Sequence, residues 1–314
     1  REHDMTAISA SLVKELREKT GVGMMDCKKA LIENDGEMEA AIDWLRKKGL
    51  SKAAKKSDRV AAEGLVGVKS DDKTGAVVEI NSETDFVARN EQFQRMVGEI
   101  TELALSTGGD LDKLLAAKMG SKFMNVEDYV KEMVATIGEN MTVRRTGALS
   151  VEEGVVSAYV HNKSADGMGK IGVLVALESS GDNEKLADFG RQLAMHVAAA
   201  SPLALLPEEL DGEVIDRERA IYSEQAKASG KPPEIVEKMV EGRLRKEFFQ
   251  QVVLMQQTFV IDGKATVEQA VKTAEKSIGA PVKVAGFVRY ALGEGIDKQD
   301  DDFAAEVAAA AGSK

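Results

Sequence analysis

One thiol, three imidazoles and many carboxylates are the groups in this 314-residue chain that could do covalent or acid–base chemistry. Cys27 lies in Met24-Met25-Asp26-Cys27-Lys28-Lys29, where a neighbouring ammonium could lower the thiol pKa enough to make a nucleophile. The stretch around it, Met5 to Gly49, holds no histidine to act as a base. A free cysteine also serves as a small buried hydrophobe, and that is the preferred reading. His196, between Met195 and Val197 on an apolar helical stretch, reads as packed core rather than as a ligand. His161, at the mouth of a predicted hairpin loop, is placed where a partner could be touched. With His3 in the first few residues, two imidazoles and one thiol cannot assemble a multi-histidine or thiolate metal site, so no metal is expected. Gly167-Met168-Gly169-Lys170 lacks the flanking pattern and following helix of a phosphate-cradling loop. No carboxylate sits in an apolar setting that would raise its pKa. The chain reads as an interaction protein without chemistry or cofactor of its own.

Composition agrees with that. Hydrophobic residues make up 43 % and charged residues 30 %, the balance of an ordinary globular protein. The length suits about two domains with sizeable cores. The longest clean apolar run, Ile171 to Leu177, is strand-sized and far short of the roughly 20 residues that cross a bilayer. No charged-then-apolar signal pattern opens the chain, and Arg1 to Asp4, ahead of Met5, are left out of the fold reasoning. A single cysteine excludes an internal disulfide framework, and a cytoplasmic setting is expected. The net charge of −11 opposes coating by nucleic acid. The basic run Arg46 to Arg59 is a candidate RNA contact, against its commoner meaning as a solvated helix end or linker. Direct nucleic-acid binding is not expected.

The elements that must position these groups are legible from periodicity. Met5 to Gly49 reads as three short helices separated by Gly21 and Gly23 and by Asn34-Asp35-Gly36. A hairpin is predicted over Gly64–Val68 and Gly75–Ile80, and a second over Gly154–Val160 and Gly172–Leu177, with a long loop, Asn162 to Gly169, in the second. A helix follows each. Phe93, Met96 and Ile100 in the first match Leu186, Phe189 and Leu193 in the second, so the chain contains an internal repeat. Aligning strands on Gly75 and Gly172 and helices on Asn90 and Asn183 leaves four extra residues in the first copy, Phe86-Val87-Ala88-Arg89. Insertions gather in loops, where function also gathers. Phe86 and Val87 need a packing partner, within the chain or outside it. Beyond the repeat, Leu210 to Ser229 and Glu234 to Gln257 form a helical hairpin with Ile235, Met239, Val240, Leu244, Phe248, Val252 and Met255 near a coiled-coil seam. Strand is predicted again at Thr258–Ile261, a helix at Val267–Ser277, and an alternating strand with Val282, Val284, Gly286, Val288, Tyr290 and Leu292 on one face. An alanine-rich helix around Phe303 and Val307 closes the chain.

Two twelve-residue stretches are specific. Thr20-Gly21-Val22-Gly23-Met24-Met25-Asp26-Cys27-Lys28-Lys29-Ala30-Leu31 resembles the N-terminal signature of the bacterial elongation factor Ts family. Glu79-Ile80-Asn81-Ser82-Glu83-Thr84-Asp85-Phe86-Val87-Ala88-Arg89-Asn90 resembles its second signature. The likeness continues through Val240–Leu244, Gln257–Val260, Phe287–Tyr290 and Gly293–Ile296. It implies an α+β protein with a ubiquitin-associated-like three-helix bundle, two related α+β subdomains with antiparallel sheets, an inserted helical hairpin (coiled coil) and a C-terminal helix. The boundaries expected here are 5–58 for the bundle and basic linker, 59–149 and 150–295 for the two subdomains with the hairpin at 208–257, and 296–314 for the C-terminal module. It further implies a guanine-nucleotide exchange factor for elongation factor Tu that displaces the magnesium ion with Thr84, Asp85, Phe86 and Val87. Partner contacts are expected at Gly21, Val22, Gly23, Met24, Met25, Asp26, Arg89, Asn90, His161 and Phe303, and a homodimer could form through the hairpin.

Overall fold

The computed structural model describes residues 8–20, 22–120, 124–227 and 230–297. Gly21, Phe303 and the alanine-rich C-terminal helix expected from the sequence lie outside them.

The N-terminal helices are α1 (Ala10–Thr20), α2 (Met24–Glu33) and α3 (Met38–Ala54). Val13, Leu16, Cys27, Ala30, Leu31, Ala41 and Leu45 form their core. Cys27 is buried and its thiol is pushed up by that burial, which fits the small packed hydrophobe expected. Asp35 and Gly36 take positive φ between α2 and α3. The basic run from Arg46 was expected to be a solvated helix end or linker, and the structure shows the helix end: α3 continues to Ala54. The helix persists because Ala53 is buried in the core of the body and Gly49 lies against Ala135, where an added Cβ would come within 3.2 Å. The charges are engaged along the way. Arg46 pairs with Asp128 at 3.7 Å, Lys48 with Asp26 at 2.7 Å and Arg59 with Glu83 at 3.4 Å, and Lys56 donates to the Gly138 carbonyl.

The body contains β1 (Glu63–Ser70), β2 (Thr74–Ser82), α4 (Glu91–Ala104), α5 (Leu111–Ala116), α6 (Val126–Ile137) and β3 (Met141–Ser150). It continues with β4 (Gly154–Ala165), β5 (Met168–Glu178), α7 (Asn183–Ala200), α8 (Gly212–Lys227), α9 (Pro233–Arg243), α10 (Phe249–Val252), α11 (Val267–Ile278) and β6 (Lys283–Ala291). The strands are antiparallel in two sets, β3-β2-β1 and β4-β5-β6, joined where Val66 and Gly67 of β1 meet Gly169 and Met168 of β5. Each set turns one face to helices and the other to its counterpart. Leu65, Val78 and Ile80 pack under α4 and α6, and Val155, Val173, Val175 and Leu177 pack under α7 and α11. Val66, Val68, Val77, Val156, Leu174 and Ala176 form a core between the sheets. Burial on both faces explains the near-continuous apolar runs.

The repeat is visible down to the backbone. Gly64 and Gly154 open the hairpins at φ 118° and 130°, and an added Cβ would lie 2.2 Å from the Ile80 carbonyl oxygen and 2.0 Å from that of Leu177. Asn90 caps α4 by accepting from Gln92 N and Phe93 N, and Asp182 caps α7 by accepting from Glu184 N and Lys185 N. The cap of the second copy therefore sits one residue ahead of Asn183, the residue that apolar spacing aligns with Asn90.

Three local expectations are corrected. The expected long loop Asn162–Gly169 is mostly strand, since β4 runs to Ala165 and β5 starts at Met168 around a two-residue turn. Thr258–Ile261 is not a strand; Thr258 makes one bridge to Thr266 and the chain turns at Val260. In β6 the alternation breaks, because Gly286 pairs with Ala176 but Val284 with Leu177. The extra residue, Ala285, is a bulge that shifts the phase. Val282, Val284 and Phe287 consequently face the helices, while Val288, Tyr290 and Leu292 face the other sheet.

A second bulge ties the halves together. Both Arg144 and Arg145 of β3 stand opposite Glu79 of β2, where the register shifts. Their guanidiniums reach its fully buried carboxylate at 3.1 and 2.6 Å. Gly293 N, just after β6, donates to the same carboxylate at 2.8 Å, and Arg144 donates to the Glu294 carbonyl at 2.7 Å. Burial alone would push the Glu79 carboxyl up, but hydrogen bonds from Gly293, Asn81 and Arg145 outweigh it and hold it below the usual range.

The helical hairpin of α8 and α9 packs Tyr222, Ala226, Val240, Leu244 and Phe248 between its arms. Ile235 is exposed, and the second arm ends at Val252 instead of continuing to Gln257 as expected. The inward residues Val236, Val240, Leu244 and Phe248 step by four, and each such step overshoots an α-helical turn by about 40°. A π-helical turn at Leu244–Phe248 takes up that drift. His196 holds the hairpin's root: it is fully buried, its Nε2 pairs with Gln257 Oε1 at 2.9 Å, and its Nδ1 accepts from Val260 N at 3.2 Å. Burial pulls its pKa down, so it is the neutral core histidine expected.

Candidate functional site

The excess residues of the first repeat lie between β2 and α4. Antiparallel pairing of Ser82 with Met141 brings the residues leaving β2 beside those entering β3, Glu139 and Asn140. The α6 helix ends at Gly138 with φ 94°, which turns the chain into this position. The two segments exchange hydrogen bonds. Thr84 gives its N and Oγ1 to the Glu139 carboxylate at 2.9 and 2.7 Å, and Asn140 N donates to Glu83 Oε1 at 2.5 Å. Asn140 Nδ2 donates to the Arg59 carbonyl at 2.7 Å, and Ser82 Oγ donates to the Thr84 carbonyl.

Beyond this clasp the two apolar residues of the insertion part ways. Val87 is 4 % exposed and belongs to the core under α4 and α6, a burial worth about 1.5–3 kcal/mol. Phe86, its neighbour, is 74 % exposed. Residue statistics alone would have tucked this ring inside. One turn of 3₁₀ helix, Val87–Arg89, follows, with Gln94 Nε2 donating to the Ala88 carbonyl at 2.9 Å. Asp85 and Arg89 flank the ring as an exposed pair at 3.8 Å. An apolar knob is thus held by bonds upstream and by a buried anchor downstream. In the second copy the same junction is only Ser179 to Asp182, and no aromatic stands there.

The other expected contact residues lie on separate elements. Met24 and Met25 are exposed at the start of α2, Met25 at 80 %; Gly23 caps that helix with φ −59°. Val22 is half-buried beside the bundle core, and its carbonyl accepts from Cys27 Sγ. Asp26 pairs with Lys48. His161 is exposed on β4, with Nδ1 3.1 Å from the Tyr159 hydroxyl. Sequence reasoning missed Glu83, Glu139 and Asn140, which hold the loop. Glu83 lies inside the second signature, but Glu139 and Asn140 carry no local signal and are found only through the β2–β3 pairing. Among the described residues, no group of three or more histidine, cysteine, aspartate or glutamate side chains is arranged to hold a metal ion, and no helix is long and apolar enough to cross a membrane.

Comparison with known proteins agrees with both the fold and the loop. A family profile described as Elongation factor TS matches residues 83–294, from Glu83 in the clasp to Glu294 in the turn after β6. An Elongation factor Ts from Parvibaculum lavamentivorans is 62 % identical over 307 residues, covering 98 % of this chain and 99 % of that protein. One from Rhizobium etli (strain CIAT 652) is 60 % identical over 306 residues with the same coverage, and one from Rhodospirillum centenum is 59 % identical over 308 residues, spanning all of that protein. With identity at this level over 98 % of its length and a family profile spanning residues 83–294, the chain belongs to the elongation factor Ts family of translation elongation factors.

Proposed function

We propose that the protein is a guanine-nucleotide exchange factor for elongation factor Tu, acting by mechanics rather than by chemistry of its own. The family resemblance supplies the partner; the exposed, anchored Phe86 is the observation that carries the mechanism. GDP in a GTPase is held by backbone donors around its phosphates and by a magnesium ion. A factor that binds the nucleotide-free GTPase more tightly than the GDP form weakens GDP by the same factor, through linkage. Phe86 enters the partner near the ion, because burial of a rigid aromatic is favourable, and Thr84, Asp85 and Val87 set its position. Met24 and Met25 provide a second, adaptable contact. Arg89, Asn90 and His161 belong to the same docking surface, with Gly21 and Phe303 assigned to it from the resemblance. The working division is a bundle up to residue 58, subdomains at 59–149 and 150–295, and a C-terminal module, in the cytoplasm. Ile221 and Ile235, exposed on the helical hairpin, would serve self-association there.

The test is release of fluorescent GDP from elongation factor Tu, followed by stopped flow. Phe86→Ala should leave stability within about 1 kcal/mol yet slow release about tenfold, which corresponds to about 1.4 kcal/mol of lost differential binding. A variant that melts several degrees lower while exchanging normally would overturn the assignment.

A further inference from the structure

We propose that Glu139, in the α6–β3 connection, is a positioning residue for Phe86: it holds the ring in its entering geometry before the partner arrives. The proposal rests on the reading of Phe86 given above. Glu139 spends both carboxylate oxygens on one residue, Thr84, taking its N and its Oγ1 at 2.9 and 2.7 Å. Only Asp85 and Phe86 separate Thr84 from Val87, which is buried. A two-residue span pinned at both ends has few backbone states left. The reciprocal bond from Asn140 N to Glu83 and the Asn140 bond to the Arg59 carbonyl fix Glu139's own segment, so it is a firm support.

The packing of the body does not require this arrangement. Val87 fills its place in the core without help from Thr84, and Asn90 caps α4 by itself. The Asp85–Arg89 pair is exposed and spans the ring without reaching the body, and exposed pairs hold little. Glu139 takes two bonds from Thr84 on the ring's upstream side, beside a single bond from Ser82 Oγ to the Thr84 carbonyl. Without it Thr84 keeps only the bond from Ser82, and more of the ordering of Phe86 must be met on binding.

The experiment is a double-mutant cycle on the full chain, read as the rate of fluorescent GDP release from elongation factor Tu. Glu139→Ala should slow release about five- to tenfold, the lower part of what freeing one residue's backbone amounts to and no more than loss of the ring itself. In the Phe86→Ala background the same substitution should change the rate less than about twofold, since a support has no effect once its load is gone. Glu139→Gln, which keeps one oxygen for Thr84 N, should restore part of the rate. It also carries the cycle alone if the alanine variant fails to fold. Equal slowing in both backgrounds, or no slowing by either Glu139 variant, would overturn the positioning role. Normal exchange by Phe86→Ala would instead overturn the reading of Phe86 beneath it, so the two failures are distinct.

Discussion

Phe86 and Val87 are adjacent, both apolar, and both absent from the second repeat, yet one is core and the other is surface. Their excess was legible in the sequence, because the repeat exposes it. Their separation was not, since a turn sends neighbouring side chains in different directions and only the tertiary frame decides which is inside. Glu79 shows the reverse case. No carboxylate was expected in an apolar setting, yet Glu79 is fully buried; its partners Arg144, Arg145 and Gly293 lie at the far side of a bulge and up to 214 positions along the chain. Its carboxyl titrates below the ordinary glutamate value. The stability it contributes is therefore complete above about pH 4.5, the unfolded-state value, and is lost as pH falls through the depressed folded one. Glu79→Gln leaves Arg144 without a carboxylate and Arg145 with only the exposed Glu294 at 3.5 Å, and should cost about 3–5 kcal/mol at pH 7. Denaturant titrations of both proteins should converge progressively below pH 4.5; a gap of constant size down to pH 3 would mean that the charge on Glu79 is not what matters.

Helices were read well where an apolar stripe faces one core and less well where packing reaches beyond the element. The basic run after Trp44 is poor in large apolar groups and reads equally as a solvated helix end or a linker; Ala53 and Gly49 make it helix by lying against the body, and small residues leave a faint signal. Thr258–Ile261 has strand composition, yet His196 takes Val260 N and the chain turns. On α2, Met24 and Met25 project from a bundle whose core is complete without them. Substituting both by alanine should leave the melting temperature within a few degrees and raise the concentration needed for half-maximal exchange; unchanged concentration dependence would remove this face from the contact. The hairpin's two ends meet at the Ala204–Val253 bridge. Replacing residues 208–250 with a short glycine-serine link spares Leu254 and Gln257 beneath α7. Sedimentation should then change more than GDP release, and a tenfold loss of exchange in a folded variant would place the hairpin in the active surface.

The whole body is two sheets back to back, each with helices outside. The halves were legible as a repeat, whereas their face-to-face packing was not, and β3 was obscured by the paired arginines that interrupt its alternation. Close approach is enforced by missing side chains. A Cβ on Gly172 would lie 2.5 Å from Val68 and 2.6 Å from Val66, so Gly172→Ala should destabilise by about 1–3 kcal/mol, seen as a lower urea midpoint. The helix contacts show the same economy with roles exchanged. In the first half the glycine is on the strand, Gly67 against Thr101, and in the second it is on the helix, Gly190 against Ser157. The bond from Gly293 N to Glu79 also has a consequence in time. Glu79 leaves the ribosome with no amide to meet it until the last tenth of the chain is made. At about 5–20 residues per second, the 214 intervening positions take roughly 10–40 s. During that interval β1 and β2 can pair, the first helical core can form, and Arg144 and Arg145 can reach the carboxylate once β3 is made, but the face awaiting the second sheet stays wet. The nascent first half thus holds this carboxylate on the guanidiniums of Arg144 and Arg145 in water, and completion of β6 adds the last donor, Gly293 N, and covers the face.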